Sequence, residues 1–282
     1  MRFPFNFSLR ALFPRAGWAF LAGLALHATA TSASAILVAY DSFDYTVGSS
    51  LATLNGGAGF SSAWSIQQTT TGGDGTVLVS TSGITSTPSH PTTSTAGNGI
   101  YGVRSFDRIS SGTVYFSFLV DNVNDGSRFI AISLMDGSSE KAYLGQSGAG
   151  SLWGAFGALN LNSTTASRPT VSGMTQLVLK VEFDQSGIND RATLFVNPDL
   201  FGAEPTSGYF TSTGDYFANG FNGIRMGSGF ANGSQTTTVA SFDEVRIATD
   251  WVSLAQTPEP GRMLLVVCGL AGVVMRRRRR RK

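Results

Sequence analysis

The chain has 282 residues, 42% of them hydrophobic and only 13% charged, with 34 Gly and a single Cys. So low a charged fraction excludes a coiled coil or helical bundle, whose exposed faces need Glu, Lys and Arg, and one Cys excludes an intrachain disulfide scaffold. The net charge of +2 hides a division: residues 1–35 hold three Arg and no acid, residues 258–282 hold eight basic residues against one acid, and residues 36–257 hold nine basic against 17 acidic. The middle is therefore acidic, and it lacks the clustered basic face that a nucleic-acid partner requires.

Residues 1–35 read as a signal peptide. Arg2, Arg10 and Arg15 form a positive region, Ala16 to Leu26 is an apolar stretch, and Ala33 and Ala35 offer small side chains at the −3 and −1 positions of a cleavage site before Ile36. The expected partner of this segment is a Sec-type export machinery. A short N-terminal anchor is the alternative, although the apolar run is too short to span comfortably.

From 36 to 257 the hydrophobic runs are short, rich in β-branched and aromatic residues, and separated by Gly, Ser, Thr and Asn. Weak strands are expected near 36–43, 76–80, 100–106, 141–144, 151–156 and 223–227. Thr113 to Val120 places Val114, Phe116, Phe118 and Val120 on one face, and Phe129 to Leu134 follows after a turn-like Asn124-Asp125-Gly126-Ser127, which suggests a hairpin. Leu177 to Phe183 alternates cleanly, with Lys180 and Glu182 opposite Leu177, Leu179, Val181 and Phe183, and Ala192 to Val196 answers it. A last strand is expected over Val239 to Ile247, while Thr69 to Gly75 and Thr81 to Asn98 read as polar loops. About a dozen short strands without a helix predict one all-β domain, a sandwich or barrel.

Candidate chemistry in this body is sparse. Glycoside hydrolysis needs two carboxyl groups about 5–9.5 Å apart. Glu182-Phe183-Asp184 begins a Glu-x-Asp-x-(x)-Glu pattern but lacks its second glutamate, and Asp243 and Glu244, as neighbours on a strand, should face opposite ways. The expectation is a chain that is not an enzyme. Asp121, Asn124 and Asp125 form the loop best suited to a hard cation such as Ca²⁺, although turn chemistry explains them equally well. His90 is the one histidine of the body and has no Cys or Asp cluster beside it in sequence. Trp64, Trp153 and Tyr143 are candidates for stacking on sugar rings, with Tyr209, Tyr216 and Phe217 behind them.

The C-terminus reads Pro258-Glu259-Pro260, then an apolar run from Met263 to Met275, then Arg276, Arg277, Arg278 and four further basic residues. Thirteen apolar residues cover about 20 Å, short of the roughly 30 Å of a bilayer's hydrocarbon core, and a cationic block behind a short span favours retention with the block on the cytoplasmic side. A weak permanent anchor or an interfacial helix fits the same residues.

This order of Pro-Glu-Pro, short apolar helix and Arg-rich tail resembles the PEP-CTERM sorting signal. The resemblance implies an exosortase-type membrane protease as transient partner, cleavage near the tripeptide, and delivery to the cell surface or an exopolysaccharide matrix. Tyr40-Asp41-Ser42-Phe43-Asp44-Tyr45, Leu54-Asn55-Gly56-Gly57, Gly59-Phe60, Ala63-Trp64, Val181-Glu182-Phe183-Asp184, Leu194-Phe195-Val196-Asn197-Pro198 and Phe242-Asp243-Glu244-Val245-Arg246-Ile247 resemble the concanavalin-A-like lectin and glucanase ectodomain, including laminin-G-like modules. That resemblance implies a jelly roll of two antiparallel sheets. It also implies a structural or weak glycan-binding role toward extracellular polysaccharide, with a glycan-active hydrolase or lyase, or a permanently anchored surface protein, as alternatives.

Overall fold

Two-residue alternation decides which side of each strand is buried, and in this chain it produces two layers. The structure, a computed structural model, describes residues 37–68, 76–81, 83–87, 99–122, 129–147, 153–157, 159, 174–185, 189–207, 209–229 and 240–255. Within them lie β1 (Leu37–Asp41), β2 (Ser65–Gln68), β3 (Thr76–Ser80), β4 (Gly83–Thr87), β5 (Gly99–Ile109), β6 (Thr113–Asn122), β7 (Phe129–Asp136), β8 (Ser139–Ser147), β9 (Trp153–Gly157), β10 (Thr175–Gln185), β11 (Asn189–Val196), β12 (Tyr209–Gly214), β13 (Phe221–Gly229) and β14 (Ala240–Ala248). A 3₁₀ turn, Val252–Ala255, follows β14.

The first sheet has the order β12-β11-β10-β6-β14-β4-β3, with β1 also paired to β14, and the second has the order β2-β5-β13-β7-β8-β9. Their paired strands are antiparallel, and non-consecutive neighbours such as β6 beside β10 and β14 give the crossed connections of a jelly-roll sandwich. Val114, Phe116, Phe118 and Val120 of β6 meet Ile130, Ile132 and Leu134 of β7 and Ile224 and Met226 of β13 in one core. Burying each such side chain stabilises the fold by about 1.5–3 kcal/mol.

A smaller cluster (Tyr115, Val178, Phe195, Ala248, Trp251 and Leu254) lies on the outer face of the first sheet. It explains why the opposite face of β6 and β10 is less polar than alternation alone predicts.

The predicted hairpin between Leu177–Phe183 and Ala192–Val196 is present as β10–β11, with Leu177 opposite Val196 and Leu179 opposite Leu194. The hairpin expected between Thr113–Val120 and Phe129–Leu134 is not. β6 has β10 and β14 on its two edges, so β7 crosses to the second sheet and pairs with β13 and β8. Part of the stretch read as a polar loop, Gly83–Thr87, is also a strand. Its Ile84 is buried, and its buried Ser86 hydroxyl donates to Ile100 O and meets the Ser228 hydroxyl across the core, so its polar groups are satisfied.

The segment after β1 closes the core through one polar knot. Asp41 is 1% and Arg104 2% exposed, and the two form an ion pair. Asp41 also accepts hydrogen bonds from the Phe43 amide (2.9 Å), the Tyr45 hydroxyl (2.7 Å) and the Trp64 indole (2.8 Å). Arg104 donates to Ser62 O (2.9 Å), Asn55 Oδ1 (2.9 Å) and Gly56 O (2.8 Å), and its guanidinium lies 4.2 Å from the centre of the Phe60 ring. Gly57 has φ 71°, and a Cβ there would sit 2.1 Å from Tyr40 O, so only glycine fits. The scattered Asp, Tyr, Asn, Gly and Trp of the resemblance motif are thus one hydrogen-bonded unit.

Candidate functional site

The face of the second sheet that points away from the core carries one polar and aromatic cluster. Register places Val103, Arg225, Ser133 and Tyr143 side by side on β5, β13, β7 and β8. The next row on that face is Tyr101, Gly227, Ala131, Gly145 and Gly154, four of them with side chains no larger than a methyl group. Arg225 lies 4.7 Å from the centre of the Tyr101 ring and pairs with Glu140, whose Oε2 also accepts from the Ser133 hydroxyl at 3.0 Å. Among the described residues the buried Arg225 Nε–H meets no hydrogen-bond partner, and burial lowers the pKa of its guanidinium. Tyr143 is half-buried, and burial pushes its phenol up. Ala131 and Ser133 are buried, so the accessible parts of the cluster are Glu140, Arg225 and Tyr143.

A second polar cluster sits at a seam in the first sheet. Along one edge β14 pairs with β4 through Ala240–Phe242 and then with β1 through Val245–Ala248, and the register against β6 shifts between Asp243 and Arg246. Glu244 adopts φ 53° in this bulge, its amide donates to Asp243 Oδ1 at 2.9 Å, and its carboxylate accepts from Arg246 at 2.6 and 3.1 Å. Strict alternation therefore fails here, and the expectation that Asp243 and Glu244 stand on opposite sides is corrected by the bulge. Burial, together with the charges of Glu244 and Asp44, pushes the Asp243 carboxyl up to about 6.

The raised Asp243 has a consequence for stability. Between its unfolded pKa near 3.9 and about 6 the folded state holds a proton that the unfolded state has lost. The contribution of this group is thus fully present below the lower value and is lost as pH rises through the upper one. Asp243→Asn should raise stability at pH 7 by an amount on the order of 1 kcal/mol, after discounting for solvent screening, and flatten the urea-unfolding profile between pH 4 and 6.

Other sequence candidates fall outside these clusters. Trp64 is 2% exposed and its indole is tied to Asp41, so stacking on a ligand from solvent is excluded by burial; Phe217 is likewise in the core, and the Tyr216 hydroxyl meets that of Ser212. Glu182 pairs with Lys180 and Arg191 on the outer face of the first sheet, while Asp184 is exposed at φ 54° beyond the regular alternation of β10. Asp121 is half-buried near the end of β6. Ala33, Ala35, His90, Asn124, Asp125 and the tail (Pro258, Glu259, Pro260, Arg276, Arg277 and Arg278) lie outside the described residues, as do the side chains of Trp153 and Tyr209. Among the described residues no group of three or more His, Cys, Asp or Glu is placed to hold a metal ion, and no helix is long and apolar enough to cross a membrane. Glu140 and Arg225 were missed in the sequence because they come from strands distant in the chain. Only their shared outward register joins them.

No protein-family profile and no curated protein matches the chain. Solved structures of similar fold include Domain 4 of AbnA, a GH43 extracellular arabinanase from Geobacillus stearothermophilus (17% identity, TM-score 0.44, covering 79% of this chain and 99% of that one). They also include a family 16 glycosyl hydrolase protein from Mycobacterium smegmatis (13% identity, TM-score 0.44, covering 75% and 100%). A third is lectin II from Ulex europaeus (15% identity, TM-score 0.35, covering 66% and 92%). The expectation that the chain is not an enzyme is not upheld, because structures named as glycosyl hydrolases stand among those it is similar to. The chain is an all-β protein of two antiparallel sheets, an arrangement consistent with a jelly-roll sandwich.

Proposed function

We propose that this protein binds or processes polysaccharide through the outer face of its second sheet, and that it does so outside the cytoplasm, held for a time at a membrane by its C-terminal segment. The observation that supports the site is the cluster of Glu140, Arg225 and Tyr143. It combines a half-buried tyrosine ring with the Glu140–Arg225 ion pair, beside a row in which Gly227, Ala131, Gly145 and Gly154 are no larger than alanine. Sugar recognition uses such a mixture, because a pyranose offers an apolar ring face to an aromatic side chain and hydroxyls to charged hydrogen-bonding groups.

Support for export and retention comes from the sequence. Ala33 and Ala35 suit leader cleavage, and Pro258-Glu259-Pro260 with the apolar run and Arg276 to Arg281 suits an exosortase-type protease.

A second reading, glycan cleavage, is favoured by the seam. An Asp243 carboxyl that keeps its proton up to about pH 6 can protonate a leaving oxygen as the glycosidic bond breaks, and water that then adds to the sugar carbon returns a proton to Asp243, while Glu244 stays beside Arg246.

Both readings are tested on one panel of neutral and uronate-containing polysaccharides, with and without chelator to reveal any Ca²⁺ requirement. Binding is read by affinity electrophoresis and turnover by release of reducing ends or unsaturated sugars. Tyr143→Ala should weaken binding about tenfold, the scale of losing one central aromatic contact. Asp243→Asn should abolish turnover while leaving binding intact. Unchanged binding in Tyr143→Ala would reject the site, and no turnover by the unsubstituted chain on any polymer would reject cleavage.

A further inference from the structure

The loop after β11 presents an exposed phenylalanine on a backbone that is tied down. Asp199 Oδ1 accepts from the Phe201 amide at 3.0 Å, and Gly202 O accepts from the Trp251 indole at 3.1 Å. The Glu204 carboxylate accepts from the Tyr115 hydroxyl at 2.6 Å and from Lys180 Nζ at 2.9 Å. Phe201 is nonetheless 89% exposed, and Val252, next to the Trp251 that grips this loop, is 61% exposed. Isolated exposed apolar residues are ordinary. This pair differs in where the chain goes next.

The 3₁₀ turn ends at Ala255, and residues 256–262 lead directly to the apolar run 263–275 and the seven basic residues behind it. Seven extended residues reach at most about 25 Å. The run itself covers about 20 Å of a roughly 30 Å hydrocarbon core, and such a short span draws its flanking residues into the interface. Any bilayer that the run enters therefore lies within a short tether of Phe201 and Val252.

Resting on the membrane-retention reading above, we infer that Phe201 and Val252 form a lipid-contacting foot. The β-sandwich lies on the phospholipid surface that holds its tail, with these two side chains in the boundary between headgroups and acyl chains. Burial there regains the apolar transfer energy that the pinned loop forgoes in water. The foot also fixes which side of the sandwich faces the membrane.

The test uses the full chain, with Cys268→Ser, in vesicles of phosphatidylethanolamine and phosphatidylglycerol. A nitroxide is placed in turn at Phe201→Cys, Val252→Cys and, as an equally apolar control, Val47→Cys (Val47 is 59% exposed). Flotation with the vesicles reports retention, and relative collision with oxygen and with a water-soluble nickel chelate reports depth. The expected result is an oxygen-to-nickel ratio at least about threefold higher at positions 201 and 252 than at 47, as for side chains in the bilayer interface. Floating vesicles with all three positions equally open to nickel would overturn the foot while leaving retention standing. Protection from both oxygen and nickel would overturn it in favour of a protein contact. A chain that fails to float would overturn retention and the foot together.

Discussion

Asp41→Ala should lower the stability of the β-sandwich by about 3–5 kcal/mol, read as a shift of the urea midpoint, which is a large part of what a single domain has. The substitution removes the acceptor shared by Arg104, Trp64, Tyr45 and the Phe43 amide, and it leaves the Arg104 guanidinium buried at 2% exposure without its counter-charge. Asp41→Asn should lose less, since an amide oxygen still accepts from the indole and the backbone. Replacing Asp41 and Arg104 together with apolar residues should recover part of the loss, because the cost lies in the stranded charge more than in the missing attraction. The same knot sets an alkaline limit. Burial and the bond to Asp41 push the Tyr45 phenol up to about 12, so its contribution is complete below pH 10 and disappears as pH rises from there toward 12.

Gly145→Ala should cost about 3 kcal/mol, combining strained backbone with a steric collision. Gly145 has φ 150°, and a Cβ there would lie 1.9 Å from Ile130 O on the neighbouring strand β7. Nothing flexible can move aside, because the obstructing atom belongs to the sheet ladder. Gly137 provides the comparison. It has φ 59°, and a Cβ there would meet nothing within 4 Å. Gly137→Ala should therefore show only the left-handed backbone penalty of about 1–2 kcal/mol. A similar loss at both positions in thermal or urea unfolding would mean that β7 and β8 tolerate a Cβ between them, and that the row of small residues beside Tyr143 is not enforced by packing.

Alternation made much of the fold legible. Val114 to Val120 and Leu177 to Phe183 each place one apolar set in the core as their period of two requires. Pairing was less legible, because a strand's period does not say which neighbour it takes. Phe129 to Leu134 reads as a partner of Thr113 to Val120 by proximity in sequence, yet it joins the other sheet once both edges of β6 are occupied. Gly83 to Thr87 hid as a loop because its buried Ser86 is satisfied by Ser228 of the other layer, a partnership invisible in a local window. Trp64 shows the reverse failure. A large aromatic suggests a surface platform, but Asp41 lies 23 positions away in sequence and draws its indole inward. Asp243 and Glu244 were visible as a pair, but the bulge that changes their facing comes from β14 switching partners from β4 to β1.

The outer face of the second sheet is proposed as the surface that meets polysaccharide. It is tested most directly by measuring polysaccharide affinity for the unsubstituted chain, for Arg225→Met, for Tyr143→Ala, and for Arg191→Ala on the other sheet's outer face, where Arg191 is partly exposed beside Glu182. Binding should weaken about tenfold in each of the first two variants and stay unchanged in the third. Binding that survives both Arg225→Met and Tyr143→Ala, or that is lost in Arg191→Ala, would rule this face out.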